Sequence, residues 1–194
     1  MRDIIIMKTM TQKTFTYIML AKTAVAAITA FAIMHSLFVF SFVPTGSMLP
    51  TLSIGESVCN RRLSPSAEIK RQDIVSFSPY TEMNNYLYRL PEDRDEIYIK
   101  RVIGLPGDTV EIKNNTVYIN GTALVEDYLP DDLVMSDFPQ ITVPDGMYFM
   151  MGDNRNASED SRILGPIPRE NIKMKTIFHV HSITSFINEY RQAQ

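Results

Sequence analysis

Ser47 and Lys100 are the two residues with which this chain could best do covalent chemistry. A serine hydroxyl is a poor nucleophile at neutral pH and needs a base beside it. Histidine, the usual base, occurs only as His35, His179 and His181. His35 falls inside an apolar stretch and is given no role. The other two alternate with apolar residues in Ile177-Phe178-His179-Val180-His181. An HxH pair can hold a metal, but no further ligand cluster accompanies this one, so half-buried strand histidines are the favoured reading. No metal or cofactor is expected. Lysine is the better base. An exposed lysine has a pKa of ~10.4, stays protonated at neutral pH and would snorkel to solvent. Burial among apolar groups disfavours the ammonium and moves the value toward neutrality. Strand alternation sets Tyr98, Lys100 and Val102 on one face, and Ile99, Arg101 and Ile103 on the other. Tyr98 and Val102 are therefore the expected desolvating neighbours. An acyl-transfer site also needs donors aimed at the developing oxyanion. The Ser47 N–H, in a turn made sharp by Gly46, is the natural first donor. The Thr45 hydroxyl is a candidate second, although Thr45 and Pro44 can equally end the preceding helix.

These residues must be positioned by something. Thr23 to Val43 contains no Asp, Glu, Lys or Arg and is long enough to cross a bilayer as one helix. Arg2, Lys8, Lys13 and Lys22 precede it against the single acid Asp3, which places the N-terminus in the cytoplasm by the positive-inside rule. A cleaved secretory signal would have a shorter apolar region and a small-x-small site. Here Phe38, Val39, Phe40, Phe42 and Val43 crowd its end, so a retained anchor is expected. The expected division is a cytoplasmic segment 1–22, a membrane anchor 23–43 and an outward-facing β domain 44–194.

The chain has 194 residues, which leaves roughly 150 beyond the anchor, enough for one cored domain. A net charge of −3 and the absence of any basic run give no case for nucleic-acid binding. Cys59 is the only cysteine, which excludes an intrachain disulfide and a cysteine metal cluster. Sequons begin at Asn114, Asn120 and Asn156. A glycan on the third would crowd a block of charged residues, which favours a bacterial origin, where the sequon is inert.

After the anchor the signals are those of strands. Ser57–Asn60, Asp73–Phe77, Ile97–Ile103 and Met147–Met151 are β-prone runs bounded by turn formers. Val110–Lys113 and Thr116–Ile119 flank Asn114-Asn115, which reads as a two-residue hairpin turn. Pairing Lys113 with Thr116 sets Ile112 opposite Val117 and Val110 opposite Ile119, giving one wholly apolar face. Met48 to Leu52 reads as extended. Glu126 to Pro144, polar and proline-bearing, reads as loop and short excursions from the main sheet, and 113–145 as a possible small inserted subdomain.

Three blocks in order carry a resemblance. They are Gly46-Ser47-Met48; Tyr98-Ile99-Lys100-Arg101-Val102-Ile103-Gly104-Leu105-Pro106-Gly107-Asp108; and Gly152-Asp153-Asn154-Arg155-Asn156-Ala157-Ser158-Glu159-Asp160-Ser161-Arg162. Together they resemble the bacterial type I signal peptidases, membrane-bound serine proteases with a Ser-Lys dyad. The resemblance implies a mainly β fold, a signal-peptidase-like domain of many short strands with one N-terminal transmembrane helix. It implies Ser47 as nucleophile and Lys100 as general base. Thr45 stands where the family often has an oxyanion-hole serine, and Ser158 matches the serine that hydrogen-bonds and orients the base. Arg101, Asp153, Arg155, Asp160 and Arg162 match charged residues that support the site. Met48, Leu52, Tyr98, Ile99, Ile74 and Ser76 fall where the family lines its substrate surface. Ser76 departs from the apolar residue usual there, which bears on pocket width.

The implied substrates are secretory preproteins cut after small residues in an Ala-x-Ala-like context, at the outer face of the bacterial cytoplasmic membrane and against membrane lipid. Two alternatives stand beside this reading. One is a Ser-Lys peptidase dedicated to a single conjugation or export precursor. The other, of a different class, is a non-catalytic membrane-tethered β binding module. Self-cleaving repressors share a Ser-Lys fold, but the apolar span displaces their DNA-binding unit.

Overall fold

The computed structural model describes residues 2–79 and 97–180, with side chains from residue 14 onward except Val180. By compactness the chain divides into Met1–Val39 and Phe40–Gln194. The first unit is helix α1, Arg2–Leu37. Its segment Thr14–Leu37 is 24 residues long and contains an 18-residue window of mean hydropathy 1.8, sufficient to cross a membrane by length and composition. The helix differs from the expected span at both ends. It starts far upstream, because charged residues bound a membrane span without breaking a helix. It also stops six residues before Val43. Phe38–Phe42 forms strand β1 instead, as its aromatic and β-branched residues favour, and pairs beside the next strand, β2. The helix therefore ends at Leu37, and Pro44-Thr45-Gly46 does not break it.

Ten further strands follow: β2 (Ser57–Arg62), β3 (Ile74–Phe77), β4 (Tyr98–Gly104), β5 (Thr109–Lys113), β6 (Thr116–Ile119), β7 (Thr122–Ala123), β8 (Phe138–Thr142), β9 (Met147–Met151), β10 (Ile167–Pro168) and β11 (Ile172–Val180). They make a seven-stranded sheet in the order β1-β2-β11-β3-β4-β9-β10 and a four-stranded sheet in the order β7-β6-β5-β8. The fold is mainly β, as expected. β4 is an interior strand. It pairs antiparallel with β3, Val75 opposite Lys100 and Ser76 opposite Ile99, and with β9, Arg101 opposite Met151. The strand that carries the lysine thus has its backbone bonded on both flanks, which removes most of its freedom to move.

The β5–β6 hairpin has the expected register, with Ile112 opposite Val117 and Val110 opposite Ile119. Asn114 and Asn115 take φ of 47° and 64°, the left-handed pair that a tight hairpin requires and asparagine tolerates. Its apolar face joins Ile103, Val143, Phe149 and Met151 in one core. A second core gathers Val75, Phe77, Val102 and Met150, and a third Val43, Met48, Leu52, Val58 and Ile99.

Within 126–144, read as loop with short excursions from the main sheet, β8 is a strand of the smaller sheet: it pairs with β5, Thr109 opposite Thr142 and Ile112 opposite Phe138. Pro139 concealed it, since proline argues against a central strand. β8 lies at the sheet edge, where a missing N–H is tolerated. The four-stranded sheet runs from Thr109 to Thr142 and falls in one compact unit with the larger sheet.

Candidate active site

Ser47 sits in a short 3₁₀ turn, Gly46–Met48. Residues 48–52, expected to be extended, curl instead: Leu49 N–H donates to Gly46 O at 3.2 Å and Leu52 N–H to Met48 O at 2.9 Å. The curl tucks Met48 and Leu52 into the third core, so the turn is anchored from below by burial. From the other side it is held by Asn154. Its N–H donates to Ser47 O at 3.1 Å and its side-chain Nδ2 to Gly46 O at 3.0 Å. Gly152 must be glycine for this approach, since a Cβ there would collide with the Ser47 carbonyl oxygen and the Ser158 hydroxyl.

Lys100 meets Ser47 across this junction. Its Nζ lies 2.8 Å from Ser47 Oγ and donates also to Ile99 O at 3.1 Å. The lysine is only 4% exposed, and Nζ stands 5.2 Å from the centre of the Tyr98 ring, one of the two desolvating neighbours expected. Burial, opposed by the charges of Asp160, Glu159 and Asp153, lowers the Lys100 pKa from 10.5 to about 8. A fair fraction of the amine is then neutral near physiological pH. The Thr45 hydroxyl reaches Ser47 Oγ at 3.3 Å.

The charged residues assigned as supports fall into three ion-paired groups. Arg101 donates to both Asp153 oxygens, at 2.8 and 2.6 Å, and Thr51 adds a third bond at 2.5 Å. Asp160 caps helix α2 (Ser161–Leu164), accepts from Gly152 N–H at 2.9 Å and binds the Arg162 guanidinium through both oxygens. Arg155 is buried and reaches Gly152 O and both oxygens of Glu126. Burial works against its charge, yet the hydrogen bonds and charge of Glu126 outweigh it and hold the guanidinium above its ordinary pKa. Tyr128 stacks on Arg101, with the guanidinium carbon 3.7 Å from the ring centre, and donates to Glu126 Oε1 at 2.6 Å. Burial, reinforced by Glu126, pushes the Tyr128 hydroxyl up, so it remains a donor. Glu126, Tyr128, Thr51 and Asn154 were not singled out from sequence. Of these only Asn154 carried a signal, its place in the third block.

A cleft of about 540 Å³ opens above the Ser47–Lys100 contact, lined by Thr45, Met48, Tyr98 and Ile99 among the expected residues, together with Val43, Pro44, Ile97, Asn154, Ala157 and Glu159. Three expected substrate-surface residues are not on it. Leu52 and Ser76 are fully buried: the turn folds Leu52 into the third core, and Ser76 lies opposite Ile99 on the interior strand β3. Ile74 packs against the same core. The bond expected between Ser158 and Lys100 is also not made: the Ser158 hydroxyl is buried without a hydrogen-bond partner among the described residues, turned toward Gly152 while Nζ is occupied by Ser47 and Ile99. His179 is partnered by the buried Glu56 at 2.5 Å, and His181 lies outside the described residues.

Known proteins share this arrangement's sequence. The chain is similar to signal peptidase I T of Bacillus subtilis (strain 168), 39% identical over 166 residues that cover 80% of each chain. It is similar to signal peptidase I of Bacillus amyloliquefaciens, 38% identical over the same length and coverage. A crystal structure of a signal peptidase I from Enterococcus faecalis V583 aligns with TM-score 0.43 and 35% identity, covering 55% of this chain and 94% of that one. The profile described as signal peptidase, peptidase S26, extends over residues 16–181. With so much of its length matched, the chain belongs to the signal peptidase family, peptidase S26.

Proposed function

We propose that this chain removes N-terminal signal peptides from secreted preproteins, with Ser47 as nucleophile and the neutral Lys100 amine as base. The observation that carries the reading is the 2.8 Å contact between Lys100 Nζ and Ser47 Oγ beneath an open apolar cleft. In the neutral amine the Nζ lone pair takes the hydroxyl proton as Oγ attacks the scissile carbonyl carbon. The Ser47 N–H and the Thr45 hydroxyl support the oxyanion. The resulting lysine ammonium returns its proton to the departing amine, which frees the mature protein. Lys100, neutral again, deprotonates a water that hydrolyses the acyl-enzyme. We assign Ser158, whose hydroxyl is otherwise unpartnered, to orient Nζ during these transfers. Arg101, Asp153, Arg155, Asp160 and Arg162 act as positioning residues. Cleavage of a test preprotein by the full chain in detergent micelles checks the assignment. Ser47→Ala should abolish it, on the order of a 10⁴-fold loss or more. Cleavage that survives Ser47→Ala would remove this reading and leave a binding module to consider.

We also propose that Thr14–Leu37 anchors the enzyme with the β domain on the outer face of the bacterial cytoplasmic membrane. Leu37 lies ten residues before Ser47 in sequence, a tether short enough to keep the site near the membrane that also holds the substrate's cleavage site. That raises their effective concentration without added affinity. Phe40 and Phe42 on β1 and Ile177 and Phe178 on β11 are exposed and suit contact with lipid. Protease added to intact spheroplasts should digest the β domain. Protection until the membrane is broken would reverse the orientation.

A further inference from the structure

Three carboxylates surround Lys100 closely enough to favour its ammonium: Asp160, Glu159 and Asp153. Two of them are neutralised by arginines, Asp160 by Arg162 at 2.8 Å and Asp153 by Arg101 at 2.6 Å. Glu159 has no cation partner among the described residues. It is exposed, it lines the cleft, and it accepts a hydrogen bond from the Tyr98 hydroxyl at 3.2 Å. Apart from Lys100 it is the one charged side chain among the described lining residues of a predominantly apolar cleft. The dyad chemistry has no use for it. A negative charge beside Lys100 opposes formation of the neutral amine, so its presence calls for a different role.

A peptide extended across the cleft turns alternate side chains down and up. If the two small residues before the cut face the apolar floor, the residue between them and the first residue after the cut face the rim, where Glu159 stands. We infer that Glu159 is a specificity-determining residue that favours preproteins with a lysine or arginine at one of these two rim-facing positions. The inference rests on the proposed signal-peptide cleavage and deepens it.

The test uses the full chain in neutral phosphatidylcholine proteoliposomes, so that lipid charge plays no part. A test preprotein carries Gln, Lys or Glu at each rim-facing position. The Gln substrate comes first: cleavage by wild type and none by Ser47→Ala secures the underlying reaction, and no cleavage by wild type overturns both it and the inference. With the reaction secured, kcat/KM for the Lys substrate should exceed that for the Glu substrate about three- to tenfold at low salt for at least one position. The ratio should shrink as salt is raised. Glu159→Gln should bring it close to one, and Glu159→Lys should invert it. Glu159→Gln should also move the rise of kcat/KM with pH to lower pH, because one support of the lysine ammonium is gone. A Lys-to-Glu ratio of one in the wild type, or an unchanged ratio in Glu159→Gln, overturns the inference. So does an equal loss on all three substrates.

Discussion

Lys100→Arg should reduce kcat/KM at pH 8 on the order of 10³- to 10⁴-fold, while wild-type kcat/KM climbs tenfold per pH step below about 8 and levels off above it. The sign follows from which form reacts. The Lys100 pKa of about 8 means that below this pH most enzyme carries an ammonium, which has no lone pair to receive the Ser47 proton. Each pH step down therefore removes nine-tenths of the active form. Arginine keeps the positive charge and can keep contacts to Ser47 Oγ and Ile99 O, but its guanidinium is protonated at any working pH. The variant's residual activity should accordingly show no rise near pH 8. Lys100→His should retain a little activity with its rise displaced to lower pH, since imidazole can be neutral but is shorter. Measured pH profiles of the three chains decide the matter. Substantial cleavage by Lys100→Arg would show that the proton goes elsewhere.

A second large effect is on stability. The Lys100 pKa is 10.5 before folding and about 8 after it. Below pH 8 both states hold the proton, and burying it costs about 3 kcal/mol. Between pH 8 and 10.5 the unfolded chain still binds a proton that the folded chain has released, so unfolding free energy rises with pH across that window. Lys100→Met keeps the length of the side chain and removes the charge. It should stabilise the full chain in micelles by about 2–3 kcal/mol at pH 7, read from urea midpoints, with the gain shrinking at pH 9.5. Both chains should carry Ser47→Ala, so that self-digestion does not blur the comparison. Equal midpoints at pH 7 would mean that Lys100 is solvated in solution. The same burial that makes the amine a usable base is thus a standing cost to the fold.

Much of this was legible in the sequence because its signals are local. Asn114-Asn115 between two alternating runs sets the hairpin register without any tertiary information. The missing usable histidine points to a lysine base, and the resemblance carried by the three ordered blocks singles out Ser47 and Lys100 for the proposed dyad. What escaped depends on distant contacts. Glu126 and Tyr128 lie in a polar stretch with no periodicity, and they matter only because the fold carries them to Arg155 and Arg101. β8 was hidden by Pro139, whose tolerance depends on an edge position that sequence does not state. The end of α1 was misplaced because Phe38–Phe42 is apolar enough for a membrane, while pairing beside β2 makes it a strand. Leu52 has the right chemistry for a pocket but is buried in the core, a matter of which way a turn curls.

The two reacting atoms belong to parts of the molecule with different stiffness. Lys100 is in mid-strand with neighbours bonded on either side, whereas Ser47 rides on one short turn stapled by Asn154. Local opening free energies in a protein range from near zero for loosely held turns to the full folding free energy for interior strands. The contact between base and nucleophile therefore fails at its softer side first. Opening of that turn alone, against the Asn154 bonds and the burial of Met48 and Leu52, would silence an enzyme of this build while its sheets remain intact.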